Sequence, residues 1–328
     1  MTTALSSVAE MERITIYMGS RCNLNCAYCH REKSGTEQPI SDGLLSYVRG
    51  RSDIFIKFMG GEPTLYFDDI KRVVEAAPDA SYAVSTNGVN LERYLPFFRE
   101  HRFLVCISYD GSGDDTRGFD PFTKLIEYPW IAVSCTLYHG NTDFRRILAN
   151  FVAKERIVGR KLSFFPHIVH HTGKHNEPFA LMAEDFDDIL RQYKECVSSF
   201  VADYKRGVVN SRYMGLFTQL ARRYRQKFSF GETYCSNKSL RKVDDTGQPY
   251  TCLYIRDEML GNDTIEIQSQ ILEEKFPKCR YCSVYGMCGA ACIKSISHEA
   301  ECQFYKRLYT WFAEVYEENH LLLDKLEV

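Results

Sequence analysis

Apolar positions in the first two-thirds of the chain form short β-rich runs separated by stretches with helical spacing. Residues 14–18 make the first run and end at Gly19. Residues 41–47 open a helix with Ser41 at the N-cap, and residues 54–59 form the next run. Residues 68–77 carry Ile70, Val73, Val74 and Ala77 on one side, the spacing of an amphipathic helix. Strands are predicted at 82–86, 104–109, 131–138 and 162–165, the last ending before Pro166. Helices are predicted at 91–101 and 144–158.

Strands alternating with helices imply a parallel sheet. Six units predict an α/β fold, a partial (β/α)6 barrel of TIM type. Further on, 185–204 and 212–228 read as helices. A last amphipathic helix over 304–323 packs Phe304, Tyr305, Leu308 and Phe312 back on the rest. The expected division is a barrel over 1–205, a helical linker over 206–234, and a small cysteine-rich iron–sulfur domain with the C-terminal helix over 235–328.

The polar strings that interrupt this pattern all follow strands. The loop Cys22-Asn23-Leu24-Asn25-Cys26-Ala27-Tyr28-Cys29 follows the first, and Gly60-Gly61-Glu62-Pro63 the second. Ser85-Thr86-Asn87-Gly88 closes the third, and Ser108-Tyr109-Asp110-Gly111 the fourth. Barrels of this type build active sites at the carboxyl ends of their strands. Three thiolates on one tight loop can turn toward a common point. Four would close a structural zinc site or an electron-transfer cluster. Three leave one iron of a cube open.

Composition narrows the partners. The chain has 328 residues, 45% hydrophobic, with a net charge of -2. It carries no basic run, so nucleic acid is not an expected partner. No apolar run reaches the length of a membrane span, and residues 1–12 lack the apolar centre of a signal peptide. A cytoplasmic, reducing setting is expected, where thirteen cysteines need an explanation other than disulfides. They cluster, three in the opening loop and seven from Cys235 to Cys302, which reads as metal ligation.

The cysteine loop, with Tyr28 before its third cysteine, resembles the radical S-adenosylmethionine (SAM) superfamily. The resemblance implies that Cys22, Cys26 and Cys29 hold a 4Fe–4S cluster whose open iron chelates SAM. A 5′-deoxyadenosyl radical then abstracts hydrogen from substrate. It also implies SAM contacts from Tyr28, Gly60, Gly61, Glu62, Ser85, Asn87, Ser108, Asp110 and Arg117. Glu62 would accept hydrogen bonds from the SAM ammonium, and the glycines would let backbone approach the ligand. Ser85 and Asn87 read alternatively as strand-end turn residues, and Arg117 equally as a surface partner of Asp114 or Asp115. Parity on the fourth strand puts Cys106 on the inner face with Ser108 and Asp110. It is a candidate hydrogen-atom donor, or a small buried hydrophobe. Cys135 and Cys196 read as buried hydrophobes. His167, His170, His171 and His175 follow the sixth strand, either near the substrate entrance or as a polar surface loop.

The second cysteine group runs Cys235-x11-Gly247-x4-Cys252, then Cys279-x2-Cys282-x5-Cys288-x3-Cys292, then Cys302. This spacing resembles the SPASM domain attached to many radical SAM enzymes. The resemblance implies two auxiliary 4Fe–4S clusters, three clusters in all. Cys279, Cys282, Cys288 and Cys302 would hold one, and Cys235, Cys252 and Cys292 three positions of the other. Its fourth position is open or taken by a non-cysteine side chain. Two zinc knots are the alternative reading of this region.

Relatives of this kind modify peptides or proteins. The expected activity is ribosomal-peptide maturation by a thioether or carbon–carbon crosslink. Sulfatase-maturase-like oxidation is the nearest rival, and a non-catalytic iron–sulfur electron carrier would leave Gly60-Gly61-Glu62-Pro63 unexplained. Implied partners are a peptide or protein substrate and a reductant such as flavodoxin or ferredoxin. Cys22 lies too near the start for a preceding leader-binding domain, so a leader would be read by a separate leader-peptide-binding protein or by the barrel and SPASM surface, or the substrate has none.

Overall fold

A computed structural model describes residues 11–29, 39–112, 120–209, 211–233, 240–243, 249–250 and 264–323. The chain begins with β1 (Glu12–Tyr17), α1 (Asp42–Val48), β2 (Ile54–Met59), α2 (Phe67–Ala76) and β3 (Ser81–Thr86). It continues with α3 (Leu95–Glu100), β4 (Leu104–Ser108), β5 (Ile131–Leu137), α4 (Phe144–Val158) and β6 (Phe164–Ile168). Then come α5 (Ala183–Lys205), α6 (Ser211–Gln226), β7 (Leu240–Val243), β8 (Pro249–Tyr250), α7 (Thr264–Lys275) and α8 (His298–Leu323).

The sheet order is β6-β5-β4-β3-β2-β1-β7-β8, and β1 to β6 pair in parallel with each sequence neighbour. This is the expected half-barrel. The period-2 pattern builds it. On β2, Ile54, Ile56 and Phe58 are fully buried, while Phe55, Lys57 and Met59 take the other, partly open face. β4 and β5 repeat this with Val105, Ile107, Val133, Cys135 and Leu137 on the buried side. The buried side lies under the helices, and the other lines the barrel lumen.

The helices end where their caps dictate. Ser41 accepts a hydrogen bond from the Leu44 amide at 3.2 Å and starts α1. Asp143 accepts from the Arg145 and Arg146 amides, and Gly159, at φ 67°, closes α4 in the left-handed conformation. The stretch 91–101 is not one helix. It splits into a 3-10 turn (Leu91–Arg93) and α3, because Pro96 in the first turn cannot donate to a preceding carbonyl.

The sixth strand runs through Pro166 rather than stopping before it. β6 is the edge of the sheet, and an edge strand tolerates the missing amide. α6 covers it closely. A Cβ on Gly215 would stand 2.9 Å from the Phe165 ring, so glycine permits that approach. The segment expected as a linker is thus packed into the molecule: Leu216, Phe217, Leu220 and Ala221 of α6 join the main core. So do Phe304, Leu308, Phe312 and Tyr316 of α8, with Phe217 and Phe312 rings 5.7 Å apart. α8 begins six residues earlier than the apolar stripe alone indicates, so Cys302 lies on it.

The sheet is larger than six strands. β7 pairs in parallel with β1, Arg13 opposite Leu240, and β8 returns antiparallel. The run Leu-Arg-Lys-Val has too little apolar alternation to announce a strand. A small second core holds Phe228, Leu272, Cys279, Tyr285, Ala290 and Ile293.

Candidate functional site

Pairing between β1 and β2 continues beyond both strands. The Met18 amide donates to Met59 O at 2.8 Å, Gly61 N to Gly19 O at 2.9 Å, and Glu62 N to Arg21 O at 2.7 Å. The Gly-Gly-Glu-Pro loop therefore clamps the base of the cysteine loop. A Cβ on Gly61 would lie 2.1 Å from Arg21 O, and one on Gly60 2.8 Å from Gly19 O. These glycines permit a close loop-on-loop contact. Tyr66 adds a third tie, its hydroxyl accepting from the Arg21 amide at 3.0 Å.

Glu62 is 1% exposed. Its Oε1 accepts from Thr64 N at 3.0 Å, Thr64 Oγ1 at 2.7 Å and Thr86 Oγ1 at 2.8 Å, and Oε2 accepts from Asn87 N at 2.8 Å. Burial pushes its carboxyl up, and these donors pull it back. The carboxylate takes up these protein donors and joins the ends of β2 and β3. Asn87 passes the connection on, donating from Nδ2 to Asn23 Oδ1 at 2.8 Å and lying 3.8 Å from Cys22 Sγ.

Tyr28 ties the far end of the cysteine loop. Its hydroxyl donates to Asp110 Oδ2 at 2.5 Å, and its ring stacks on Tyr138 with centroids 4.9 Å apart. Asp110 is 2% exposed, and its Oδ1 accepts from Thr136 N at 3.0 Å. Asn141, fully buried, donates to Asp110 O at 3.0 Å and Thr136 O at 3.1 Å. Strand parity sets Tyr138 on the same inner face as Ser134 and Thr136; Asn141 is not singled out by the sequence, and an asparagine just past a strand end is the available signal. Cys22, Cys26 and Cys29 are half-buried on the loop so held, and Cys29 N donates to Cys26 O at 3.0 Å.

Ser85, Cys106, Ser108, Ser134 and Thr136 take the lumen face, as strand parity requires. Ser85 pairs with Cys106, and Ser108 with Ser134. Burial raises the Cys106 thiol against a pull from Lys57. Cys135 and Cys196 are core residues, as expected, with Cys135 Sγ 3.3 Å from Asp110 O. Arg117 lies outside the described residues.

The histidine segment is more than a surface loop. His167 sits in β6 on the lumen face; it is open to solvent yet ringed by protein, and burial pushes it down to about 4. His170 Nδ1 lies 3.4 Å from Glu301 Oε2, and His171 Nδ1 3.3 Å from Ser297 Oγ. The Ile296 amide donates to His171 O at 2.7 Å. The segment thus joins the barrel to the start of α8. His175 falls in a 3-10 turn (Lys174–Phe179).

In the C-terminal region Cys279, Cys282, Cys288 and Cys302 line one small cavity of about 20 Å³, with His298 and Lys306. These are the four cysteines expected to share a cluster. Cys279 lies in a 3-10 turn (Pro277–Tyr281) and Cys288 ends a single helical turn (Tyr285–Cys288). Gly289, Ala290 and Ala291 follow at φ 57°, 65° and 54°. Left-handed alanines carry strain. The helical Cys288 followed by left-handed Gly289 is the αR-αL pair whose amides form a concave nest that suits an anion or an iron–sulfur core. Burial, then neighbouring thiols, push Cys279 up to about 11, and burial pushes Cys288 up to about 12. Bare thiols here are neutral, and a cationic metal core must displace their protons. The donor set and the nest fit a 4Fe–4S cluster. Among the described residues no three His, Cys, Asp or Glu side chains converge on a single ion; a cube of four irons needs a wider ring. Cys292 lies outside the cavity lining, and Cys235, Gly247 and Cys252 lie outside the described residues.

The family profile described as the Radical SAM superfamily matches residues 16–130, which contain the cysteine loop, its clamp and β2 to β4. The barrel is a radical SAM domain. Such a domain uses SAM and a 4Fe–4S cluster, and the half-buried trio Cys22, Cys26 and Cys29 at the strand ends fits that cluster. A cysteine-type anaerobic sulfatase-maturating enzyme of Clostridium novyi (strain NT) is 22% identical over 330 residues, 83% of this chain and 85% of that one. A probable GTP 3′,8-cyclase of Methanocella arvoryzae is 39% identical over 110 residues, 31% of this chain and 35% of that one.

Solved structures agree in fold well past the radical SAM domain. Native anSMEcpe with bound AdoMet and Kp18Cys peptide superposes with a TM-score of 0.68 at 19% identity, covering 94% of this chain and 99% of that one. Streptococcus suis SuiB bound to precursor peptide SuiA gives 0.59 at 15% identity, covering 88% and 74%. Among the described residues no helix is long and apolar enough to cross a membrane.

Proposed function

We propose that this radical SAM enzyme modifies a peptide, closing a thioether or carbon–carbon crosslink in a ribosomally made precursor. The observation that carries the reading is the cavity lined by Cys279, Cys282, Cys288 and Cys302 beside the left-handed run Gly289-Ala290-Ala291. A second metal centre outside the barrel suits an oxidation that must dispose of two electrons. The peptide complexes of anSMEcpe and SuiB support a peptide in the same general fold.

Bound SAM and the cluster on Cys22, Cys26 and Cys29 would supply a 5′-deoxyadenosyl radical, and two auxiliary clusters an acceptor for the second electron. The chain's own residues prepare the place. Glu62, Thr86 and Asn87 lock the strand ends, and Tyr28 and Asp110 hold the loop over the lumen. Cys106 faces that lumen as a candidate hydrogen-atom donor. The second auxiliary set is assigned to Cys235, Cys252 and Cys292. Ser85, Ser108 and Arg117 are assigned to SAM, and Gly60 and Gly61 contribute through their backbone. A flavodoxin or ferredoxin would reduce the enzyme, and a separate protein would present the leader. The domain division at 205 and 234 separates these duties.

The test is incubation of anaerobically reconstituted enzyme, SAM and dithionite with synthetic cysteine-containing precursor peptides. The expected product lacks two hydrogens and shows a new internal linkage by tandem mass spectrometry. An unchanged peptide alongside rapid 5′-deoxyadenosine formation rejects that substrate class. A second reading, oxidation of a sulfatase residue, is favoured by the likeness that spans 83% of the chain. A sulfatase-derived peptide that gains a carbonyl, with no linkage, would select it.

A further inference from the structure

The barrel lumen carries a charge that none of the roles above employs. Lys57 is the sixth-strand histidine's counterpart on β2: both take the face opposite the helix-covered core. Register places Lys57 level with Thr15 on one side and Ala83 on the other, and both neighbours are small enough to leave the ammonium clear. Cys106 faces the same lumen from β4, and His167 from β6, opposite Thr136. Lys57 makes no hydrogen bond or ion pair with any described residue. The two barrel carboxylates nearest the mouth are spent elsewhere, Glu62 on Thr64, Thr86 and Asn87, and Asp110 on Tyr28 and Thr136.

The surroundings reinforce the sign. Lys57, His170 and Arg223 all act on His167 as positive neighbours, and Lys57 acts on Cys106 in the same sense. Among the described residues the carboxylate beside this group is Glu301, which lies against His170 and accepts from Ser295 Oγ. A half-buried lysine on a concave wall, with no counter-ion among the described residues, concentrates anions there.

We propose that Lys57 is a specificity-determining residue that binds a carboxylate of the substrate inside the lumen, between the walls that carry Cys106 and His167. The ligand class is an acidic side chain or a free C-terminal carboxylate entering beneath the cysteine loop. Calling its owner a peptide rests on the function proposed above; the anion site itself does not. Lys57 stands two residues before Gly60's predecessor Met59's end of β2, inside the strand rather than on the loop that follows it. That depth separates it from the Gly-Gly-Glu-Pro clamp.

The charge can be read without substrate. Cys106 is the half-open thiol of the lumen, whereas Cys135 and Cys196 are buried. Reconstituted holoenzyme is alkylated in parallel with iodoacetate, which carries a carboxylate, and iodoacetamide, which does not. The Cys106 peptide is quantified by mass spectrometry. A change in thiolate fraction affects both reagents equally, so their rate ratio reports the local potential alone. Lys57→Met should lower the iodoacetate-to-iodoacetamide ratio by about fivefold. Lys57→Arg should keep the wild-type ratio, which separates charge from folding. A ratio unchanged in Lys57→Met, or a wild-type Cys106 that neither reagent reaches, overturns the site. SAM binding to Lys57→Met, measured by equilibrium dialysis, should match wild type. A loss of about tenfold would give the lysine to the SAM carboxylate and overturn the substrate assignment. Neither measurement needs peptide turnover, so failure of the crosslinking reading leaves its own separate mark.

Discussion

The Tyr28 hydroxyl stands 2.5 Å from Asp110 Oδ2 across the barrel mouth, joining the cysteine loop just before its third cysteine to the segment that follows β4. Removing it strands a buried carboxylate oxygen. Tyr28→Phe keeps the stack on Tyr138 and loses only the hydrogen bond. A charge-assisted bond of this kind contributes about 1.5–3 kcal/mol. Urea unfolding should show a loss of that size, and the variant should release iron faster on chelator challenge. Unchanged stability and iron retention would mean that the loop is held by its clamp alone.

Gly61→Ala tests the clamp. The new methyl would meet Arg21 O at 2.1 Å, and backbone cannot swing aside as a side chain can. Forcing the loops apart costs about 1–3 kcal/mol. Reconstitution should then lose the SAM-cleaving cluster while the cavity of Cys279, Cys282, Cys288 and Cys302 still takes up iron. Wild-type 5′-deoxyadenosine formation in Gly61→Ala would contradict the close approach.

His167 gives a pH signature. Its folded value is pushed down to about 4 by burial, then by the positive neighbours Lys57, His170 and Arg223. An unfolded histidine titrates near 6.5. Between these values the unfolded chain binds the extra proton, so stability is full above about 6.5 and falls as pH drops toward about 4. His167→Asn should reduce the slope of stability against pH in that window by about one proton. Identical slopes in the two proteins would refute the depressed value.

Cys302→Ala addresses the C-terminal cavity. It removes one of four thiols around a space lined also by Ala290 and Ala291. Iron after reconstitution should fall by about four per chain, from about twelve if all three clusters form. SAM cleavage under dithionite should survive. An unchanged iron content would dissolve the four-cysteine centre.

Much of this was legible in the sequence, for identifiable reasons. α4 was bounded correctly because Asp143 and Gly159 announce its ends. β2 and β4 alternate cleanly, and the four cysteines of the cavity are spaced by their own turns. What escaped depends on partners distant in the chain. Nothing local tells that Glu62 will meet Thr86 and Asn87 rather than open space. Pro166 reads as a stop until β6 is known to be an edge. α7 has only a weak apolar face, and Leu240 to Val243 earns strand geometry from β1 alone.

That last pairing has a bearing on biogenesis. β1 carries the cysteine loop, yet one of its two flanks is covered only by Leu240 and its neighbours, which leave the ribosome long after it. Until then the nascent chain offers an uncovered strand margin, open to mispairing with another copy. Metal loading of the first loop before translation has passed β7 would act on an unfinished support, so cluster insertion is expected to follow synthesis rather than accompany it.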